Sequence, residues 1–210
     1  MCGGPILVAE DWTIQELLTA GWSEADLAWE RTAEETAEAV AHKDFAPAKS
    51  KAGEALQTAR AGFEPIDPRL GSSLANYGLC LHLSGHSEGV AHLFRAGLDV
   101  WRAAGPWIAR MDAPRSARSS LFHLRMELRH RDTYRARWQE RWQAMTADAK
   151  LRIEGMNSSN NDSDACAISA EALARWRRER PAMLNDTRKL MAAALLLLAP
   201  PPRKRVSHPQ

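Results

Sequence analysis

The stretch GLCLHLSGHSEGVAHLFRAGLDVW, Gly78–Trp101, holds two helical patterns separated by Ser84-Gly85-His86-Ser87. Apolar and small residues recur on both sides at the three- and four-residue spacing of an amphipathic helix, and the break carries turn-forming residues. Taken alone, it is a helical hairpin. Setting KDFAPAKSKAGEALQTA (Lys43–Ala59) under GHSEGVAHLFRAGLDVW (Gly85–Trp101) superposes Ala48 on Val90, Ala55 on Gly97 and Leu56 on Leu98, each pair 42 residues apart. Self-similarity at such a period marks stacked helical repeats, in which a hairpin buries its apolar face only against its neighbours. Small residues let two helices cross closely, and a large residue one turn away fills the groove toward the next hairpin. Gly78, Gly97 and Phe94 suit those parts.

Outward from this unit, alternating β-branched and aromatic residues never persist, whereas Ala, Leu, Glu and Arg recur at helical spacing, so the expected class is all-α. Asp11 caps a short helix to about Gly21, and Ser23, with Asp26 three residues on, starts a long one to about His42. Further helices are expected over Ala46–Gly62, Arg69–Leu83, Glu88–Ala104, Pro114–Arg131 and Asp132–Met156. The polar run Asn157–Ala165 reads as a flexible linker, followed by a helical region Ile168–Leu198 kinked at Pro181.

The segment LANYGLCLHLSGHSEGVAHLFRAGLDVW resembles a tetratricopeptide (TPR) repeat. With its lead-in FEPIDPRLGSSLANYG, it is most similar to the 42-residue subclass of kinesin light chains, where an Asp-Pro loop leads into a helix carrying an Asn; Asn76, Tyr77 and Gly78 hold the corresponding places. The second repeat matches over about 35 residues and the first in its second helix, while the third places Ala144 where Gly97 stood, after a longer interval. The resemblance spans Ser23–Met156. It implies a right-handed superhelix of about three TPR-like helical hairpins with a C-terminal capping helix, and a concave face that binds peptide segments of other proteins. Under it, Asn76 would hydrogen-bond a bound backbone, since an amide both donates and accepts. Arg115, Arg118 and Arg125 would hold an acidic side chain or a C-terminal carboxylate. Glu30, Glu34 and Ala37 depart from the Lys and Asn of chaperone-binding relatives and argue against their carboxylate clamp. An unrelated helical bundle is the competing architecture, with Asn76 tying neighbouring helices together and the arginines solvated.

The expected divisions are 1–22, an N-terminal segment with a short helix; 23–156, the repeat domain; 157–165, the linker; 166–199, a C-terminal helical region; and 200–210, a disordered basic tail. Three cysteines, odd in number and far apart, suggest neither a disulfide framework nor a zinc site and fit a reducing, cytoplasmic setting. No export signal is read at the N-terminus. The apolar run Leu190–Pro200 is too short to span a bilayer and reads as the buried end of a helix, so no transmembrane span is expected.

Motifs for catalysis are absent: there is no G-x-S-x-G, phosphate-binding loop or H-E-x-x-H. Cys80, His82, His86 and His92 are the one cluster with metal-ligand chemistry, but Ser84-Gly85 interrupts the helix that would align them. No cofactor is expected. Residues 1–68 hold 13 acidic and 5 basic side chains and the remainder 13 and 23, so the formal charge of +2 conceals an acidic front and a basic back.

The leading expectation is a non-catalytic adaptor or scaffold that binds another protein, including acidic peptide segments. A basic helical protein holding nucleic acid through Arg135–Trp142 and Arg175–Arg180 is one alternative, against which Trp138 and Trp142, four apart, form one apolar stripe that reads as core packing with Arg135, Arg137 and Arg141 on the other sides of the helix. A membrane-associated accessory subunit using Leu190–Arg205 is another. The eight tryptophans leave a homo-oligomer open as well, through an exposed self-association face.

Overall fold

The computed structural model describes residues 23–86, 88–105, 140, 142–156, 168–169, 171–172, 174 and 195. Among these the regular structure is helical throughout, without strands. Four helices follow one another as α1 (Glu24–Ala41), α2 (Phe45–Gly62), α3 (Pro68–Leu83) and α4 (Val90–Ala103), and residues 142–156 form α5. Each of the first four packs on the next in chain order, α1 on α2, α2 on α3 and α3 on α4. The short helix expected from Asp11, the helix expected over Pro114–Arg131, the 157–165 linker and the basic tail lie outside the described residues.

Local chemistry sets the helix starts. Ser23 and Asp26 form a reciprocal capping box: the Asp26 amide donates to Ser23 Oγ at 3.1 Å and the Ser23 amide to Asp26 Oδ2 at 2.7 Å. Asp67 caps α3 by accepting from the Arg69 amide at 2.9 Å, and Pro68 occupies the first turn, where its missing N–H costs nothing. The fourth helix begins at Val90 rather than at the expected Glu88. Gly89 has φ of 75°, a left-handed conformation outside the α-helical region, so the helix starts after it.

The two hairpin turns are built alike. Lys43, at φ 63°, follows α1; its N–H donates to Val40 O at 3.1 Å and the Asp44 N–H to Ala39 O at 2.9 Å. Gly85, at φ 78°, follows α3; its N–H donates to His82 O and the His86 N–H to Leu81 O, both at 3.0 Å. Both are Schellman closures with a left-handed residue just past the helix. Their positions differ by the same 42 residues as the matched helices. Burial repeats at that interval too: Ala48 and Val90, Ala52 and Phe94, Leu56 and Leu98, and Ala59 and Trp101 are all buried.

Small residues set the α3–α4 crossing. A Cβ on Gly71 would lie 2.6 Å from the Trp101 ring and 3.0 Å from Gly97 O, and one on Gly97 would lie 3.0 Å from Gly71 O. On Gly78 it would meet the Phe94 ring at 3.1 Å. Gly78, Gly97 and Phe94 therefore take the places read from the sequence, and Gly71 joins them. The third unit differs from expectation: Ala144 is exposed, and α5 buries Trp142, Ala149, Ile153 and Met156 instead. Those four lie on one helical stripe, which turns Ala144 to the opposite side. Trp29, Trp101 and Trp142 are buried as well, so among the described residues no tryptophan forms an exposed self-association face.

Candidate functional site on helix α3

Ser72, Asn76, Leu79 and Leu83 share one stripe of α3, at the four- and three-residue steps that return to the same helical face. All four are buried. Asn76 is 5% exposed, and its Oδ1 accepts a hydrogen bond from the backbone N–H of Leu195 at 2.8 Å, across 119 residues of sequence. Leu195 is itself 1% exposed and belongs to the main core with Leu79, Leu83 and Ile168. A buried amide oxygen without a partner costs about 1–3 kcal/mol, so the Leu195 N–H and Asn76 Oδ1 satisfy each other where water is excluded. The expected backbone-binding amide thus holds a backbone N–H of its own chain.

The serines beside it serve the fold. Ser72 Oγ donates to Pro68 O at 3.2 Å and Ser73 Oγ to Arg69 O at 2.8 Å, while Ser73 Oγ accepts from Trp29 Nε1 at 2.7 Å. The last bond ties α1 to α3. The same pair of helices shares an ionic anchor: the Arg69 guanidinium engages Asp67 at 2.7 Å and also Asp26, and it lies over the Phe63 ring at 3.6 Å. Burial opposes ionisation of Asp26, but the Ser23 amide and hydroxyl and the Arg69 charge outweigh it and hold the carboxyl below its ordinary value. Burial likewise opposes the Arg69 charge, which the two carboxylates hold in place. This network fixes the N-terminal end of α3, and with it the placement of Asn76.

Arg115, Arg118 and Arg125 lie outside the described residues. The Cys80–His92 cluster is dispersed. Cys80 is buried and its thiol is pushed up to about 12 by desolvation, His82 is lowered by partial burial, and His86 and His92 are exposed. Among the described residues no three His, Cys, Asp or Glu side chains converge on a common point.

A concavity of about 500 Å³ lies between α4 and α5, lined by Trp101, Arg102, Trp142, Gln143, Thr146 and Lys150 among others. The indoles meet edge to face at 6.3 Å. Their donors are already engaged: Trp142 Nε1 donates to Trp101 O and Trp101 Nε1 to Pro68 O, each at 3.0 Å. Arg102 is held by Asp99 at 2.9 Å. The tryptophans therefore supply walls to this cavity but no aimed donor.

Sequence reasoning placed Leu195 in a buried apolar run but not against Asn76, and it read Asp26 as a cap without Arg69. The side chain of Leu195 signals burial, whereas the atom that reaches Asn76 is a backbone N–H, which leaves no mark in the sequence. The chain matches no protein-family model, no curated protein and no solved structure.

Proposed function

We propose that this protein is a non-catalytic docking module whose helical hairpins stack as a tetratricopeptide-like, right-handed superhelix with a C-terminal cap, and which binds a peptide segment of another protein along the Asn76 stripe of α3. The observation that carries this reading is the buried Asn76 amide accepting a backbone N–H from a segment remote in sequence. A primary amide engages the groups every peptide shares and, being uncharged, enters a dry groove without the penalty of a buried ion. The 42-residue recurrence of turn and burial supports stacked hairpins as the scaffold. Arg115, Arg118 and Arg125 are the residues proposed to hold acidic side chains of the partner.

The test is a partner recovered with tagged full-length protein and then reconstituted from purified components. Asn76→Leu keeps the branched shape and heavy-atom count of the side chain and removes the acceptor; it is expected to weaken that complex about tenfold or more, the scale of one buried hydrogen bond. Lys150→Ala, on exposed α5 surface, should leave it unchanged. An Asn76→Leu chain that melts like wild type and binds the partner equally well refutes the reading.

A further inference from the structure

We propose that the cavity between α4 and α5 is a binding site for a small organic anion with a planar aromatic body, an aromatic carboxylate being the simplest member of the class. The site is separate from the α3 stripe and stands whether or not that stripe docks a peptide.

Size, wall and charge point to the same chemistry. A volume of about 500 Å³ falls within the roughly 300–1,000 Å³ of small-molecule sites. Trp101 and Trp142 both line the cavity, and their ring planes stand 88° apart with centroids 6.3 Å from each other, so the two indoles form an apolar corner. A flat ring laid against one indole meets the edge of the other, and both contacts are favoured arrangements of aromatic rings. Both indoles are buried and pinned by the hydrogen bonds of their Nε1 atoms, so the corner is formed before any ligand arrives.

Arg102 and Lys150 line the cavity from different helices, and no acidic side chain is among the residues that line it. Their present partners lie on their own helices: Arg102 Nη1 reaches Asp99 at 2.9 Å and Lys150 Nζ reaches Glu154 at 3.7 Å, all four side chains being more than half exposed. Such exposed pairs hold their members weakly, so an anion in the cavity draws both cations without breaking a buried contact. Gln143, Ala147 and Lys150 follow at four- and three-residue steps along one face of α5, which sets an amide and an ammonium on the same side with only a methyl between them. Gly105, just past α4, leaves room, since a Cβ there meets no atom within 4 Å. With the indole N–H groups engaged elsewhere, Arg102, Lys150 and Gln143 orient the charged end of the ligand and the indole corner takes its ring.

Isothermal titration calorimetry of the full-length protein with 2-naphthoate tests this, beside the uncharged 2-naphthamide and the flexible anion octanoate. Saturable binding of 2-naphthoate is expected, about tenfold tighter than 2-naphthamide and about threefold tighter than octanoate. The affinity should fall with added salt. Arg102→Gln combined with Lys150→Gln should erase the preference for the naphthoate over the naphthamide, and Gly105→Leu, which fills the cavity, should abolish binding of both. An unchanged helical melt confirms that each variant is folded; if Gly105→Leu is not, the double variant decides alone. The proposal is overturned by the absence of saturable 2-naphthoate binding to wild type, by equal affinity for naphthoate and naphthamide, or by a double variant that keeps the preference. Octanoate bound as tightly as the naphthoate overturns the aromatic part of it.

Discussion

Lys43 and Gly85 stand 42 residues apart in the same left-handed backbone conformation, each closing a helix with the same pair of hydrogen bonds. One is a residue that this conformation penalises and the other is the residue that adopts it freely. The repeat is thus a property of the backbone as well as of the buried side chains.

Lys43→Gly is expected to stabilise the chain by about 0.5–1 kcal/mol, since glycine removes the left-handed penalty while the Schellman bonds remain. Gly85→Ala should cost about 1 kcal/mol through the backbone alone, because a Cβ there meets no atom within 4 Å. Urea unfolding followed by circular dichroism checks both, with unchanged m-values expected.

Gly71→Ala should be among the more damaging conservative changes. Its Cβ would sit 2.6 Å from the Trp101 ring, whose Nε1 is bonded to Pro68 O, and 3.0 Å from the Gly97 carbonyl. Neither neighbour moves without breaking a contact, so the cost is about 2–3 kcal/mol and the melting temperature should fall by roughly 5–10 °C. Gly53→Ala, whose Cβ would lie an ordinary 3.6 Å from Tyr77 within α2, is expected to be neutral or stabilising by up to about 1 kcal/mol. Equal effects of the two changes would contradict the crossing geometry.

Asp26→Asn removes one carboxylate from the buried Arg69 guanidinium, and should destabilise by about 1–3 kcal/mol at neutral pH. The pH dependence has a definite sign. Asp26 titrates below its ordinary value in the folded chain, so the unfolded chain binds the extra proton first and stability falls with acid. The difference between wild type and Asp26→Asn should be full above about pH 5 and shrink as pH falls through the folded pKa. Paired denaturant titrations from pH 7 to 3 measure it.

Cys80 should be chemically silent in the native state. Desolvation raises its thiol to about 12, leaving almost no thiolate near neutrality. Iodoacetamide at pH 8 is expected to spare Cys80 in buffer and to modify it in denaturant with the same midpoint as the loss of helix, as read by peptide mass mapping. Rapid modification in buffer would mean that α3 opens locally.

Short-range chemistry was legible in the chain. Ser23 with Asp26, Asp67 before Pro68, and the match of Ala55 and Leu56 to Gly97 and Leu98 act over a few residues or recur at a constant interval, and each is where the residues alone place it. The all-α class follows from the same local periods. Trp142 was legible as an apolar-stripe residue from its four-residue spacing to Trp138, whereas the place of Ala144 was not, because a small residue suits either side of a helix and the facing surface of α4, where Trp142 donates to the Trp101 carbonyl, turns it outward. The partnership of Arg69 with Asp26 and of Asn76 with Leu195 was hidden for a related reason. Each joins groups 43 and 119 residues apart, and the path of the chain, rather than any local preference, brings them together. The sequence determined that Asn76 would lie on a helix; the tertiary structure alone decided that its buried amide accepts the Leu195 backbone N–H.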